Sequence, residues 1–180
     1  SIVMHPRMDF MIYALDPIIN QAANWSYMTG GKENVPVVIW GVINRGGEQA
    51  AQHSQALQAL FSHVPGLKVV MPSNPYNAKG LLISAVYDGN PVVYIDDRWL
   101  YNMRGEVPEE MYKIPIGKAE IVKKGKDITI IATSYVVNQA LEALKELKQV
   151  KARARDNQRD KRSQPRASTT DSVAHVMKMP

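Results

Sequence analysis

Two spacings of apolar residues alternate along residues 1–150. Phe10, Ala14, Ile18 and Ala22 recur four apart, with Leu15, Ile19 and Trp25 on the neighbouring stripe. That period predicts a helix over 10–28 with one buried face, capped by Asp9 and stopped by Gly30 and Gly31. The runs 35–41 (VPVVIWG), 67–71 (LKVVM) and 91–95 (PVVYI) are instead nearly unbroken and β-branched, as in strands covered on both faces. Helix-length segments separate them at 54–63 and 75–88. The second has Asn74 as cap, Pro75 at the first helical position and Gly89 after its end. Strand, helix, strand, helix, strand is the order of an α/β domain, a parallel sheet flanked by helices.

From 96 to 115 the pattern lapses into a polar, proline-marked stretch that reads as a linker. A second α/β unit then starts with apolar positions at 117–122, a strand at 127–133 (DITIIAT) and a helix at 136–150 carrying Leu141, Leu144 and Leu147. A βαβ unit needs a strand next, yet KARARDN follows. The expected division is therefore a first domain over 1–96, a linker over 97–116, the start of a second domain over 117–150, and a basic, disordered or non-native tail over 151–180.

Charge sharpens that boundary. The chain of 180 residues has 22 Lys and Arg against 17 Asp and Glu, a net +5. Residues 1–150 hold 14 of each sign, so the whole excess sits in the last thirty, 8 against 3. A run such as KARARDNQRDKR would neutralise phosphates without reading sequence, but it lacks interleaved aromatics, so nucleic acid is not expected as a partner. Cysteine is absent, which removes disulfides, thiolate metal sites and cysteine nucleophiles, and fits a cytoplasmic setting. No apolar run approaches the ~20 residues that cross a bilayer, so no membrane role is expected.

The run DFMIYALDPIINQAANWSYMTGG, the strand VPVVIWG and the string AAQHSQALQALFSHVPGLKVVMPSNPYNAKGLLISAVYDGNPVVYIDD share their order and spacing with one family. They resemble the β subunit of thiamine-diphosphate-dependent 2-oxo-acid dehydrogenases of the pyruvate and branched-chain type. IPIGKAEIVKKGKDITIIATS continues the likeness into that subunit's C-terminal domain, so it covers about Ile2 to Lys148. The wider transketolase superfamily shares the fold. The resemblance implies a transketolase-like pyrimidine-binding domain and the start of a second domain, truncated at both ends. The glutamate that bonds the cofactor's aminopyrimidine ring in the family has no counterpart among these residues.

The implied activity is oxidative decarboxylation of a 2-oxo acid with acyl transfer to lipoamide, the chain alone being inactive. The implied cofactor is thiamine diphosphate, its magnesium held by the α subunit, with a structural potassium ion. Implied partners are that α subunit, a lipoyl-bearing dihydrolipoyl acyltransferase and a second copy of the chain. His53, in AAQHSQ, matches the family's active-site histidine, where a titratable donor meets charge developing on oxygen or sulfur. Phe10 matches the aromatic residue set against the pyrimidine ring, although the preceding HPRMD departs from the family segment. The potassium ligands match the carbonyls of Val37, Ala85 and Val86, with Asp88 and Asn90. The residues alone allow plainer readings: His53 as a capping or core histidine, Phe10 as core, 88–91 as a helix-to-strand turn, and the chain as a dimerising scaffold. The loop 43–52 (INRGGEQAAQ) has two glycines and suits close approach to a cofactor.

Overall fold

Strands β1 (Ile2–His5), β2 (Val38–Ile43), β3 (Lys68–Val70) and β4 (Val92–Asp97) form one parallel sheet in the order β1-β2-β4-β3. The computed structural model describes residues 1–44, 49–160 and 175–178. They fall into two units, Ser1–Lys118 and Ala119–Met179. β2 and β4 pair from Val38 with Val92 to Ile43 with Asp97. Their alternate residues enter two separate cores, as expected for strands covered on both faces. Ile39, Ile43, Val93 and Ile95 join Met8, Met11, Ile18, Phe61 and Met71 on one side. Val38, Val92 and Tyr94 join Val70, Leu81 and Ala85 on the other.

The expected α/β sheet is present, with shifted boundaries. β1 was not anticipated: four residues with no helix before them give too short a pattern. β2 starts at Val38 rather than 35, since Pro36 has no N–H to donate. The helix expected over 10–28 is a 3-10 segment Met8–Ala14, a π-helical segment Asp16–Ala22 and the α-helix α1 (Ala23–Met28). Pro17 cannot donate to the α-helical ladder, so the winding changes there. Asp9 does not cap: Arg7 holds the N-cap position without a side-chain bond, and Asp9 is 5% exposed. Gly41 lets the 3-10 segment approach the sheet, since a Cβ there would meet Met11 Sδ.

Helix α2 is short (Gln58–Ser62), preceded by a 3-10 turn Ala51–His53. Helix α3 (Pro75–Val86) starts as expected, Asn74 Oδ1 accepting the Asn77 N–H at 2.8 Å. The stretch expected as a linker packs along α3 instead. Tyr112 stacks on Tyr76 at 4.5 Å, Ser84 Oγ donates to the Ile114 carbonyl at 2.6 Å, and Lys79 reaches the Pro108 carbonyl.

In the second unit, β5 (Glu120–Lys123), β6 (Thr129–Ala132) and helix α4 (Tyr135–Asp160) are followed by β7 (His175–Lys178). β7 lies between the other two strands, parallel to β6 and antiparallel to β5. Two expectations are thereby corrected. The helix does not stop at 150 but continues to Asp160, and the strand needed to close the βαβ unit exists within the stretch read as a tail. No described helix is long and apolar enough to cross a membrane.

Two positive-φ glycines separate backbone cost from steric cost. Gly30 (φ +65°) has open space where a Cβ would stand, whereas a Cβ on Gly66 (φ +90°) would collide with the Ala23 carbonyl. Gly30→Ala is expected to cost about 1 kcal/mol, and Gly66→Ala at least twice that, in urea unfolding of the two variants.

Candidate functional site

Phe10 and His53 both follow carboxyl ends of parallel strands, Phe10 after β1 and His53 after β2. Loops at that edge of an α/β sheet are where ligands bind. The two rings meet edge to face, centroids 5.1 Å apart at 78°. Phe10 is half exposed, so its ring is available to a second flat partner. His53 ends the 3-10 turn rather than opening a helix, and its Nδ1 is buried with no hydrogen-bond partner among the described residues. Four residues of the 43–52 loop expected to approach a cofactor, 45–48, lie outside the described residues.

The neighbouring side chains are less obvious from sequence. Asp9 Oδ1 accepts the Gln55 N–H at 2.9 Å, while its buried Oδ2 has no hydrogen-bond partner among the described residues. Met8 Sδ faces the Leu57 N–H at 3.4 Å. Ala50, just before the turn, holds φ 65° and ψ 176°, a conformation normally confined to glycine. No spacing in the sequence signals Asp9, because its partner is a backbone N–H 46 residues away.

The five residues matched to a cation site do converge at the far end of the sheet. The Val37 carbonyl accepts the Val92 N–H at 2.9 Å, and the Ala85 carbonyl accepts that of Asp88 at 3.4 Å. Asn90 Nδ2 donates to Asp88 Oδ1 at 2.9 Å, and Val86 ends helix α3 beside them. Sequence reading missed Lys68, whose Nζ lies 2.6 and 2.8 Å from the two Asp88 oxygens. Burial raises the Asp88 carboxyl, but the bonds from Lys68 and Asn90 outweigh it and hold the group below its ordinary value. The site offers backbone carbonyls that each keep a lone pair, beside one carboxylate whose charge Lys68 already shares.

A third cluster occupies the α3 side of the sheet. A cavity of about 360 Å³ is lined by Trp40, Leu82, Tyr94, Asp96 and Tyr101, among others. Trp40 Nε1 donates to Asp96 Oδ2 at 2.9 Å, and Tyr94 donates to the Ala78 carbonyl at 3.1 Å. Burial pushes the Asp96 carboxyl up, more than the hydrogen bonds it accepts, that from Trp40 first, pull it down. Burial and then the Asp96 charge push the Tyr94 hydroxyl far above its ordinary value.

Residues 4–103 match the pyrimidine-binding domain of transketolase, and 117–155 match the transketolase C-terminal domain. The chain is 50% identical over 139 residues to the acetoin:2,6-dichlorophenolindophenol oxidoreductase subunit beta of Bacillus subtilis, covering 77% of this chain and 41% of that one. It is 48% identical over 143 residues to the pyruvate dehydrogenase E1 component subunit beta of Porphyra purpurea, covering 79% and 43%. The chain thus spans about two fifths of these relatives' length. Among solved structures, the inactive beta4 tetramer of a split gene transketolase superposes with a TM-score of 0.68 at 22% identity, over 99% of this chain and 48% of that one. The transketolase of Leishmania mexicana does so at 0.65 and 19%, over 99% and 22%.

The Lys68–Asp88 pair sets a pH dependence. A carboxyl held below its ordinary 3.8 contributes stability that is present above that value and lost as pH falls through the lower, folded one. Lys68→Met should therefore lower the melting temperature at neutral pH, and the gap from wild type should close under acid. A gap that persists below the folded value would assign the loss to the packing of the lysine stem.

Proposed function

We propose, since the chain belongs to the family of transketolase pyrimidine-binding domains, that it forms the pyrimidine-facing wall of a thiamine-diphosphate-dependent 2-oxo-acid dehydrogenase. The observation that carries this reading is the Phe10–His53 pair at the carboxyl edge of the sheet. A half-exposed aromatic face beside an imidazole suits a flat heterocycle whose neighbourhood must exchange protons. When bound, thiamine diphosphate supplies the electron sink that lets a 2-oxo acid lose carbon dioxide. Phe10 orients the pyrimidine ring by stacking. His53, with Nδ1 buried, holds or gives a proton at Nε2 where charge develops on the substrate oxygen or on the sulfur of an incoming lipoyl group. The diphosphate end and its magnesium are assigned to an α subunit, and the lipoyl group to an acyltransferase.

Potassium is proposed at Val37, Ala85, Val86, Asp88 and Asn90, sharing the Asp88 charge with Lys68. The support is the convergence of these oxygens at one helix C-terminus, where unpaired carbonyls favour a cation. The melting temperature should be higher in potassium chloride than in tetramethylammonium chloride at equal ionic strength, and Asp88→Ala should abolish the difference. Equal melting in both salts would remove the ion from this reading.

Catalysis is tested in a complete frame. The matched 139-residue stretch is grafted into the Bacillus subtilis subunit and assayed with its partner subunit for reduction of 2,6-dichlorophenolindophenol, with acetoin or a 2-oxo acid as substrate. His53→Ala in that graft should lower turnover by ~10²-fold or more with the melting temperature unchanged. Unchanged turnover would assign His53 to structure alone.

A further inference from the structure

The 3-10 segment Met8–Ala14 and residues 53–57 touch at three successive points. Met8 meets the Leu57 N–H, Asp9 the Gln55 N–H, and Phe10 the His53 ring. Every second residue of the later segment is thus held by one residue of the earlier. Residues 54–57 belong to neither the 3-10 turn before them nor helix α2 after them, so no regular ladder fixes their path. The three contacts are unequal. A thioether is a weak acceptor and an edge-on ring contact is soft, whereas a buried carboxylate bonded to a backbone N–H is directional and charge-assisted.

Ala50 adds an independent observation. A non-glycine residue at φ 65° and ψ 176° persists only where its surroundings over-determine it. The strain lies three residues before His53, and the Asp9 bond lies two residues after it. The imidazole is therefore clamped on both sides, by strained backbone before it and by a carboxylate after it.

We propose that Asp9 is a positioning residue for His53, acting through the Gln55 N–H to hold the turn that aims the imidazole. The proposal rests on the functional reading above only for the consequence in catalysis. The clamp itself is a property of the chain. It makes Asp9→Asn a conservative change, because the amide oxygen still accepts from Gln55, whereas Asp9→Ala removes the acceptor altogether.

The experiment follows the His53 ring and the Gln55 amide by NMR in the full chain. Wild type should give one sharp His53 Cε1–H resonance and a Gln55 amide protected from exchange, although that amide belongs to no helix or strand. Asp9→Asn should preserve both. Asp9→Ala should broaden the His53 resonance or move it toward that of free histidine, and release the Gln55 amide. An unchanged His53 resonance in Asp9→Ala overturns the proposal. Should that variant fail to fold, fast exchange of the wild-type Gln55 amide overturns it unaided, and slow exchange upholds it. In the grafted enzyme, Asp9→Ala should lower kcat by ~10-fold or more with KM little changed, and Asp9→Asn should restore it. An inactive wild-type graft would count against the functional reading and leave the NMR outcome to decide the role of Asp9.

Discussion

The register of β2 on β4 is the constraint on which the rest of the first unit depends. Both strands are buried on both faces, so each residue's side is fixed by parity. A slip of one residue would drive Trp40 and Asp96 into the methionine-rich core and turn Ile39 and Ile43 toward α3. Each misplaced aliphatic side chain forfeits about 1.5–3 kcal/mol of burial, so the alternative is excluded many times over. The same parity separates the chemistry. Odd positions of β2 support the segment bearing Phe10, while even positions of β4 place Tyr94 and Asp96 in the cavity beside α3. Since the strands run parallel, everything after their last residues emerges at one edge.

What could be read from the sequence follows from that constraint. β2, β3 and β4 were visible because strands buried on both faces are almost wholly apolar, and α3 because Asn74, Pro75 and Gly89 punctuate it. The segment 8–28 was legible as helical but not as three kinds of helix, since apolar spacing does not report a change of winding caused by Pro17. Phe10 and His53 were found through resemblance, not pattern. Asp9 and Lys68 were missed for one physical reason: each acts on a partner far away in sequence, Gln55 and Asp88, and no local period encodes such a pair.

The second unit shows the converse error. Residues 151–180 carry the whole net charge, and a charged stretch as poor in apolar residues as 151–166 ordinarily cannot offset its own ordering entropy. Yet α4 runs through Lys151 to Asp160, and the four residues His175–Lys178 pair on both sides with β5 and β6. Composition averages over thirty residues, whereas a strand needs only about four, and the Val-Met pair in HVMK is enough to seed one. The βαβ expectation was sound. Its missing strand was short and preceded by a long polar stretch.

Three aspartates of the first unit meet the cost of burial in different ways, and the differences rank them for function. Asp88 has a cation against both oxygens and is held ionised, a structural solution that leaves little undone. Asp96 has neutral donors and is pushed toward its protonated form, a solution that trades charge for hydrogen bonds. Asp9 has neither. One of its oxygens is bonded to a backbone N–H and the other is buried without a hydrogen-bond partner among the described residues, as is Nδ1 of His53 on the touching segment. An unsatisfied buried acceptor costs more than the average hydrogen bond contributes, so a fold optimised for stability alone would not keep one. Two such atoms, without hydrogen-bond partners among the described residues, lie on segments that touch and next to a strained alanine, so the cost gathers in one small region. Such cost is characteristic of a site whose remaining partners arrive with its ligand.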